Sequence, residues 1–345
     1  MTMAETDVGP KLKLALVGCG GIARAHWRGI KYHAPRIEVT AVVDTVRASA
    51  DAMSERIGAP AFYSLESALA EGDFDAVDIM LPHDLHEEAA LACFEAGQHV
   101  CLEKPMAHTL ASCERILEAA SKVDTVFFIA EQAQYWPDVI EAARLIGEGA
   151  IGEVLSARSV FYDVLAVGPD DPKPWRFFAE RSGGGISIDG GAHWIRPMRM
   201  LLGEIDEVIA ETRAHTPRRE GESVALALFR FESGVVASFE AVEYEGAIGP
   251  VQDLRVTGTH GELVSVRGRD GGMTLYNPEH PDGLRVADGF PGRADAYGFE
   301  LHDFSLVVLD GKAPEATPAH SLGEFRTAQA MYRSAESKRW EKVWD

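Results

Sequence analysis

The stretch that most limits what this chain can fold into is Leu12 to Ala25. Leu12, Leu14, Ala15, Leu16 and Val17 form a short apolar run, the composition of a strand covered on both faces. Gly18-Cys19-Gly20-Gly21-Ile22-Ala23 follows at once, a G-x-G-x-x-A turn. Gly18 allows the tight turn, Gly20 lets backbone N–H groups approach a ligand without a Cβ in the way, and Ala23 lets the next helix sit against the strand. Ile22, His26, Trp27 and Ile30 then recur at helical spacing. The start of such a helix, at Gly21 and Ile22, offers N–H groups and partial positive charge to a pyrophosphate.

A glycine turn alone is weak evidence, because most such turns are only turns. A second apolar run, Val39 to Val43, ends in Asp44. That is about where a carboxylate accepts hydrogen bonds from the hydroxyls of an adenosine ribose. Its charge repels a 2′-phosphate, so the expected cofactor is NAD, with NADP disfavoured. Arg47 is the nearby residue that would favour the phosphorylated form.

Composition narrows the partners. The 345 residues carry 54 acids and 33 bases, a formal charge of −21, which disfavours nucleic acid and anionic membrane surfaces. No apolar run is long enough to span a bilayer, and the acidic start from Met1 to Gly9 reads as a frayed tail, not a secretory signal. Cys19, Cys93, Cys101 and Cys113 show no C-x-x-C spacing, so buried reduced thiols and a cytoplasmic location are expected.

Strand and helix patterns alternate as far as the strand Thr125–Ala130, which implies a doubly wound parallel sheet of the Rossmann type over residues 1–131. Ligands bind such sheets beyond the carboxyl ends of the strands. From residue 132 to 345 the pattern changes to an α+β domain with a large, mostly antiparallel, open-faced sheet, one face buried on helices and the other available for a partner. Its expected strands are Glu153–Asp163, Val208–His215, Val224–Phe231, Val235–Val242 and Leu254–Thr257; its helices are Pro137–Ile146, Ala192–Leu202, Tyr297–Val308 and Ser321–Ser334.

Several residues could do chemistry. Glu103-Lys104-Pro105 follows the strand His99–Leu102 on the cofactor side of the sheet, where Lys104 could aim a cation at a reacting hydroxyl and a cis proline bond would hold it there. A lone lysine before a helix is ordinarily a surface residue. Asp189 and His193 stand four residues apart at a helix start, a spacing that puts a proton-taking imidazole and an orienting carboxylate on one face. Singly, each is more often a cap or a core residue. His83 and His86 lack a third ligand nearby, so no metal is expected; with Leu81 and Pro82 they are placed against the cofactor, as are Glu103 and Gln132. Trp136, Tyr162 and Trp175 could stack on sugar faces, and the Pro-rich loop Val164–Ser182 also brings Arg176 to the substrate.

Taken together, the glycine turn, Asp44, Pro82-His-Asp-Leu-His86, Glu103-Lys104-Pro105 and the stretch Gly183 to His193 resemble the Gfo/Idh/MocA family over nearly the whole chain. The resemblance implies a two-domain NAD(P)-dependent oxidoreductase acting on sugars, polyols or their derivatives, with Lys104 and His193 handling the proton and Asp189 beside them. It also implies a homodimer or homotetramer built on the open sheet face. Relatives that cleave glycosides through transient oxidation, or that only sense sugar or nucleotide, are the alternative readings. Arg196 departs from the family's acid three residues after the histidine, which points to an altered or acidic substrate, and His83 replaces a common asparagine.

Overall fold

The structure is a computed structural model describing residues 9–164, 172–216, 218–246, 248–249, 251–267 and 270–344. The N-terminal tail Met1–Val8 and residues 165–171 of the Pro-rich loop lie outside them. The chain divides into two compact units, Met1–Glu131 with Asp295–His320, and Gln132–Ala294 with Ser321–Asp345.

The first unit runs β1(Leu12–Val17), α1(Gly21–His33), β2(Ile37–Val43), α2(Arg47–Ile57), β3(Ala61–Phe62), α3(Leu65–Glu71), β4(Ala76–Ile79), α4(His86–Glu95), β5(His99–Glu103), α5(Leu110–Ala120) and β6(Phe127–Ala130). All strand pairs are parallel, in the order β3-β2-β1-β4-β5-β6. The strand order reverses between β1 and β4, the switch point at which doubly wound sheets bind nucleotides. Leu14, Leu16, Val77, Ile79, Val100 and Leu102 are wholly buried in the central strands. Each such side chain contributes about 1.5–3 kcal/mol. Asp78 is the exception, a charged residue with no exposure in the middle of β4. Helix ends follow local chemistry: Ser64 and Thr109 accept from the N–H groups of Ser67 and Ser112, and Gly58 ends α2 in a left-handed conformation.

The second unit contains α6(Pro137–Gly147), β7(Val154–Val164), the short α7(Ala179–Ser182), α8(Ala192–Leu202), β8(Ile205–Arg213), β9(Val224–Phe231), β10(Val236–Tyr244), β11(Leu254–Gly258), β12(Glu262–Val266), β13(Gly272–Asn277) and β14(His280–Asp288). The helices α9(Phe290–Asp310) and α10(Leu322–Ser337) and the short β15(Glu341–Lys342) complete the chain. Nine strands form one sheet in the order β14-β13-β12-β11-β7-β10-β9-β8-β15. Only the β7–β10 pair is parallel. In β9, Ala225, Ala227, Phe229 and Phe231 point inward, and Phe229 stacks on Phe239 of β10 at 5.2 Å. The alternate residues Leu226 and Leu228 face outward and stay 48% and 43% exposed, so this sheet face is uncovered and mixes apolar side chains with charged ones such as Arg158, Glu211 and Glu240.

Two features depart from the sequence reading. Strands β12, β13 and β14 were not anticipated; the outermost, β14, carries Pro281 and Gly283, which only an edge strand tolerates and which blur its pattern. The sequence reading divides the chain at residue 131; in the structure the first unit also takes in Asp295–His320, and α9 starts seven residues before the expected Tyr297. A helical period marks an apolar face without saying which sheet will cover it. The returning segment crosses α1 backbone to backbone: a Cβ at Gly29 would lie 2.5 Å from the Gly298 nitrogen of α9, so only glycine fits.

Candidate functional site

At the head of the first unit, Gly18 has φ of +95°, and a Cβ there would stand 2.6 Å from the Met80 carbonyl oxygen. Asp44 locks the turn with both oxygens: Oδ2 accepts from the Cys19 N–H and Oδ1 from the Val46 N–H, each at 2.8 Å. The same carboxylate therefore braces the glycine turn and the start of α2. A Cβ at Gly20 would meet nothing within 4 Å, so the space ahead of α1 is open. An open turn at a helix N-terminus with a carboxylate at the end of β2 fits a dinucleotide. Arg47, the residue that could favour a 2′-phosphate, lies over the Tyr63 ring at 4.0 Å. Burial and the Asp44 charge push the Cys19 thiol up to about 12, so it stays protonated and unreactive.

The turns after β4 and β5 are joined by His86. Its Nδ1 lies 3.0 Å from the Pro105 carbonyl oxygen and its Nε2 2.9 Å from that of Leu81. His86 is wholly buried and His83 nearly so, whereas Leu81 and Pro82 are half-exposed. His86 thus supports the turns from beneath, a different job from the cofactor contact expected of it, and backbone carbonyls face both of its nitrogens where a metal would need a lone pair. Burial lowers its pKa, although the two carbonyls pull the other way. Lys104 is half-buried; its N–H donates to the Ala130 carbonyl, and its bond to Pro105 is cis. Glu103 turns inward, away from solvent, toward His26.

In the second unit Asp189 does not stand on a helix. It lies in the turn before Ala192, the first residue of α8, so helical spacing does not relate it to His193. The polypeptide can turn here because Gly190 and Gly191 let it press on Phe161 and Phe239. Asp189 Oδ2 accepts from Arg176 Nε at 2.8 Å. His193 sits in the first turn of α8, with Gln132 Nε2 3.3 Å from its Nε2 and 3.4 Å from its Nδ1. Trp136 Nε1 donates to Gln132 Oε1. An indole N–H can only donate, so the Gln132 oxygen faces Trp136 and its NH₂ faces the imidazole. Gln132, expected at the cofactor, therefore holds His193; the sole sequence signal was its four-residue spacing from Trp136.

Three sequence expectations change. Trp136 is 4% exposed and serves Gln132, not a sugar face. Tyr162 donates to Glu240 on the uncovered side of the sheet, opposite Phe161, whose ring meets the Asp189–His193 turn, because neighbouring strand residues point to opposite faces. Arg196 has no exposure: Nε and Nη2 each donate to Glu324 at 2.8 Å, and Nη1 donates to Gln134. It carries no information about an acidic substrate. Its partner lies 128 residues away, beyond the reach of any local pattern. Trp175 and Arg176 remain at the site, the guanidinium 4.3 Å from the indole ring.

A six-stranded parallel sheet with a switch point, a glycine turn and an acid ending its second strand defines an NAD-binding oxidoreductase domain, here followed by a second, sheet-based unit. Residues 12–131 match the oxidoreductase family with an NAD-binding Rossmann fold, and residues 139–264 match the GFO/IDH/MocA C-terminal domain. The chain belongs to the GFO/IDH/MocA family. It is 28% identical over 320 residues to levoglucosan dehydrogenase of Pseudarthrobacter phenanthrenivorans, covering 80% of this chain and 82% of that one. It is 25% identical to myo-inositol 2-dehydrogenase of Thermotoga maritima, covering 96% and 98%. An oxidoreductase crystal structure from Thermotoga maritima superposes with a TM-score of 0.84 at 27% identity, covering 96% and 98%. No helix among the described residues is long and apolar enough to cross a membrane.

Proposed function

We propose that this chain interconverts a secondary alcohol and a ketone on a sugar, polyol or sugar derivative, using NAD, with Lys104 and His193 handling the proton. The observation that carries the reading is the Gln132 amide, whose NH₂ is turned onto His193 by Trp136. An imidazole offers one lone pair when neutral, and the Gln132 NH₂ marks the acceptor that a substrate hydroxyl would take over on binding. When bound, the nicotinamide takes a hydride from the carbinol carbon or returns it. The turn Gly18 to Ile22 holds the phosphates, Asp44 the adenosine ribose, and Leu81 and Pro82, backed by the buried His83, line the approach. His193 accepts the hydroxyl proton, and Lys104 stabilises the alkoxide that develops. Asp189 holds Arg176, and with Trp175 these groups bind substrate hydroxyls. The dehydrogenases of levoglucosan and myo-inositol among the relatives support a polyhydroxylated substrate. The test is a panel of levoglucosan, myo-inositol, D-xylose and simple glycosides, followed by NADH absorbance with product analysis. NAD reduction by one of them supports the reading; bond cleavage without added cofactor, or no turnover on any, overturns it.

Asp44 sets the cofactor preference. NADH should bind at least about tenfold more tightly than NADPH, because the carboxylate repels a 2′-phosphate. Asp44→Asn removes the charge and should close most of that gap in a fluorescence titration. Equal affinities in the unaltered enzyme would contradict the assignment.

The uncovered sheet face is assigned to pairing with a second copy. Leu226 and Leu228 are 48% and 43% exposed there, apolar side chains that a second copy would cover. Light scattering should find an oligomer that Leu228→Glu splits into monomers. A monomeric parent, or a variant that stays assembled, would refute the assignment.

A further inference from the structure

The first unit contains a buried charge cluster that the proposed chemistry does not touch. His26 on α1, Asp78 on β4 and Glu300 on α9 have no exposure, and Glu103 at the end of β5 is 7% exposed. His26 Nδ1 lies 2.8 Å from Asp78 Oδ2, and His26 Nε2 lies 2.9 Å from Glu103 Oε1. A ring with a carboxylate oxygen at hydrogen-bond distance from each nitrogen carries a proton on both. Glu300 Oε1 stands 3.7 Å from the same Nε2, and neither Glu300 oxygen has a hydrogen-bond partner among the described residues. Cys101, Glu131, Tyr297 and His86 are among the titratable groups around the cluster. Burial works against a charged His26, yet Asp78 and Glu103 more than offset it and hold its pKa well above the ordinary value. Burial drives the Glu300 carboxyl in the neutral direction.

Such clusters are poor stabilisers, since apolar side chains of the same volume would serve as well or better. What this one does is tie four elements to a single point one residue from Lys104. Gly29 and Gly298 allow α1 and α9 to approach closely enough for His26 and Glu300 to meet. We infer that this cluster positions Lys104: His26 clamps Glu103, and Glu103 fixes the backbone from which the lysine side chain departs. Glu103 is therefore an anchor, and His26 and Asp78 act through it. The inference rests on the proposed role of Lys104. A metal would have to compete for the same groups, because His26 Nε2 and an oxygen from each of Glu103 and Glu300 lie within 4.8 Å of one another. The hydrogen bonds already at both ring nitrogens favour the imidazolium.

The test introduces His26→Gln and the isosteric Glu103→Gln into the unaltered chain and into Lys104→Ala. Each alone should lower kcat about 10- to 100-fold, the effect of a slightly misplaced catalytic group, with NADH affinity within about threefold. In Lys104→Ala, neither should lower kcat further by more than about threefold, because the two changes act through one group. In cofactor-free protein, labelling of Lys104 by an amine-specific acylating reagent, read by peptide mass spectrometry, should change in rate by about threefold or more. Losses that multiply in the Lys104→Ala background, together with unchanged labelling, would overturn the inference. So would one equivalent of tightly bound divalent metal in the purified protein that His26→Gln loses. If Lys104→Ala itself keeps full turnover, the functional reading fails instead, and the labelling still decides whether the anchor sets the lysine.

Discussion

His193→Ala should lower turnover by about 10²- to 10⁴-fold while NADH affinity stays within about threefold. The proposed role rests on the imidazole at the start of α8, which the Gln132 amide, oriented by Trp136, faces. Positioned general-base assistance amounts to about 3–5 kcal/mol of barrier, which is the loss expected. Lys104→Ala should behave alike, since a cation beside a developing alkoxide acts mainly in the transition state and so lowers kcat more than it raises KM. Steady-state rates on the alcohol found in the panel, set beside NADH fluorescence titrations, separate chemistry from binding. Full turnover in either variant would remove that residue from the scheme. A parallel collapse of NADH affinity would place it at the cofactor instead.

Glu324→Ala should destabilise the protein by about 3–5 kcal/mol without altering which alcohols are oxidised. Glu324 accepts from both Arg196 and Arg199, and the three side chains are almost entirely buried. Removing the carboxylate strands two guanidinium groups in the interior, only one of which keeps another acid, Glu204. A unit of this size loses about 2–4 °C of Tm per kcal/mol, so thermal unfolding should begin roughly 10 °C lower. The comparison with substrate preference matters, because Arg196 occupies the position at which the sequence suggested a substrate-reading residue. An unchanged melting temperature combined with an altered alcohol preference would restore that role to Arg196.

Local patterns were legible where local physics decides. The apolar run of β1, the glycine turn and Asp44 announced a nucleotide site, because each acts through its own backbone or through neighbours in the adjacent strand. Ser64, Thr109 and Gly58 were readable as caps for the same reason. The roles of single side chains were much less so. Tyr162 and Trp136 carry the right chemistry for a sugar, but strand alternation turned one to the uncovered face and burial committed the other to Gln132.

What the sequence determined by itself was therefore the parallel nucleotide-binding sheet, its glycine turn and acid, the family resemblance, and the identity of the candidate lysine and histidine. Those features depend on spacing within a strand, a turn or a helix, and spacing is written in the chain. Tertiary structure alone decided that residues 295–320 return to the first unit, that Arg196 faces Glu324 and not a ligand, and that His26, Asp78, Glu103 and Glu300 share one buried point. Each of these joins charges or helices far apart in sequence, and a charged residue's partner becomes known only once the interior that denies it water has formed.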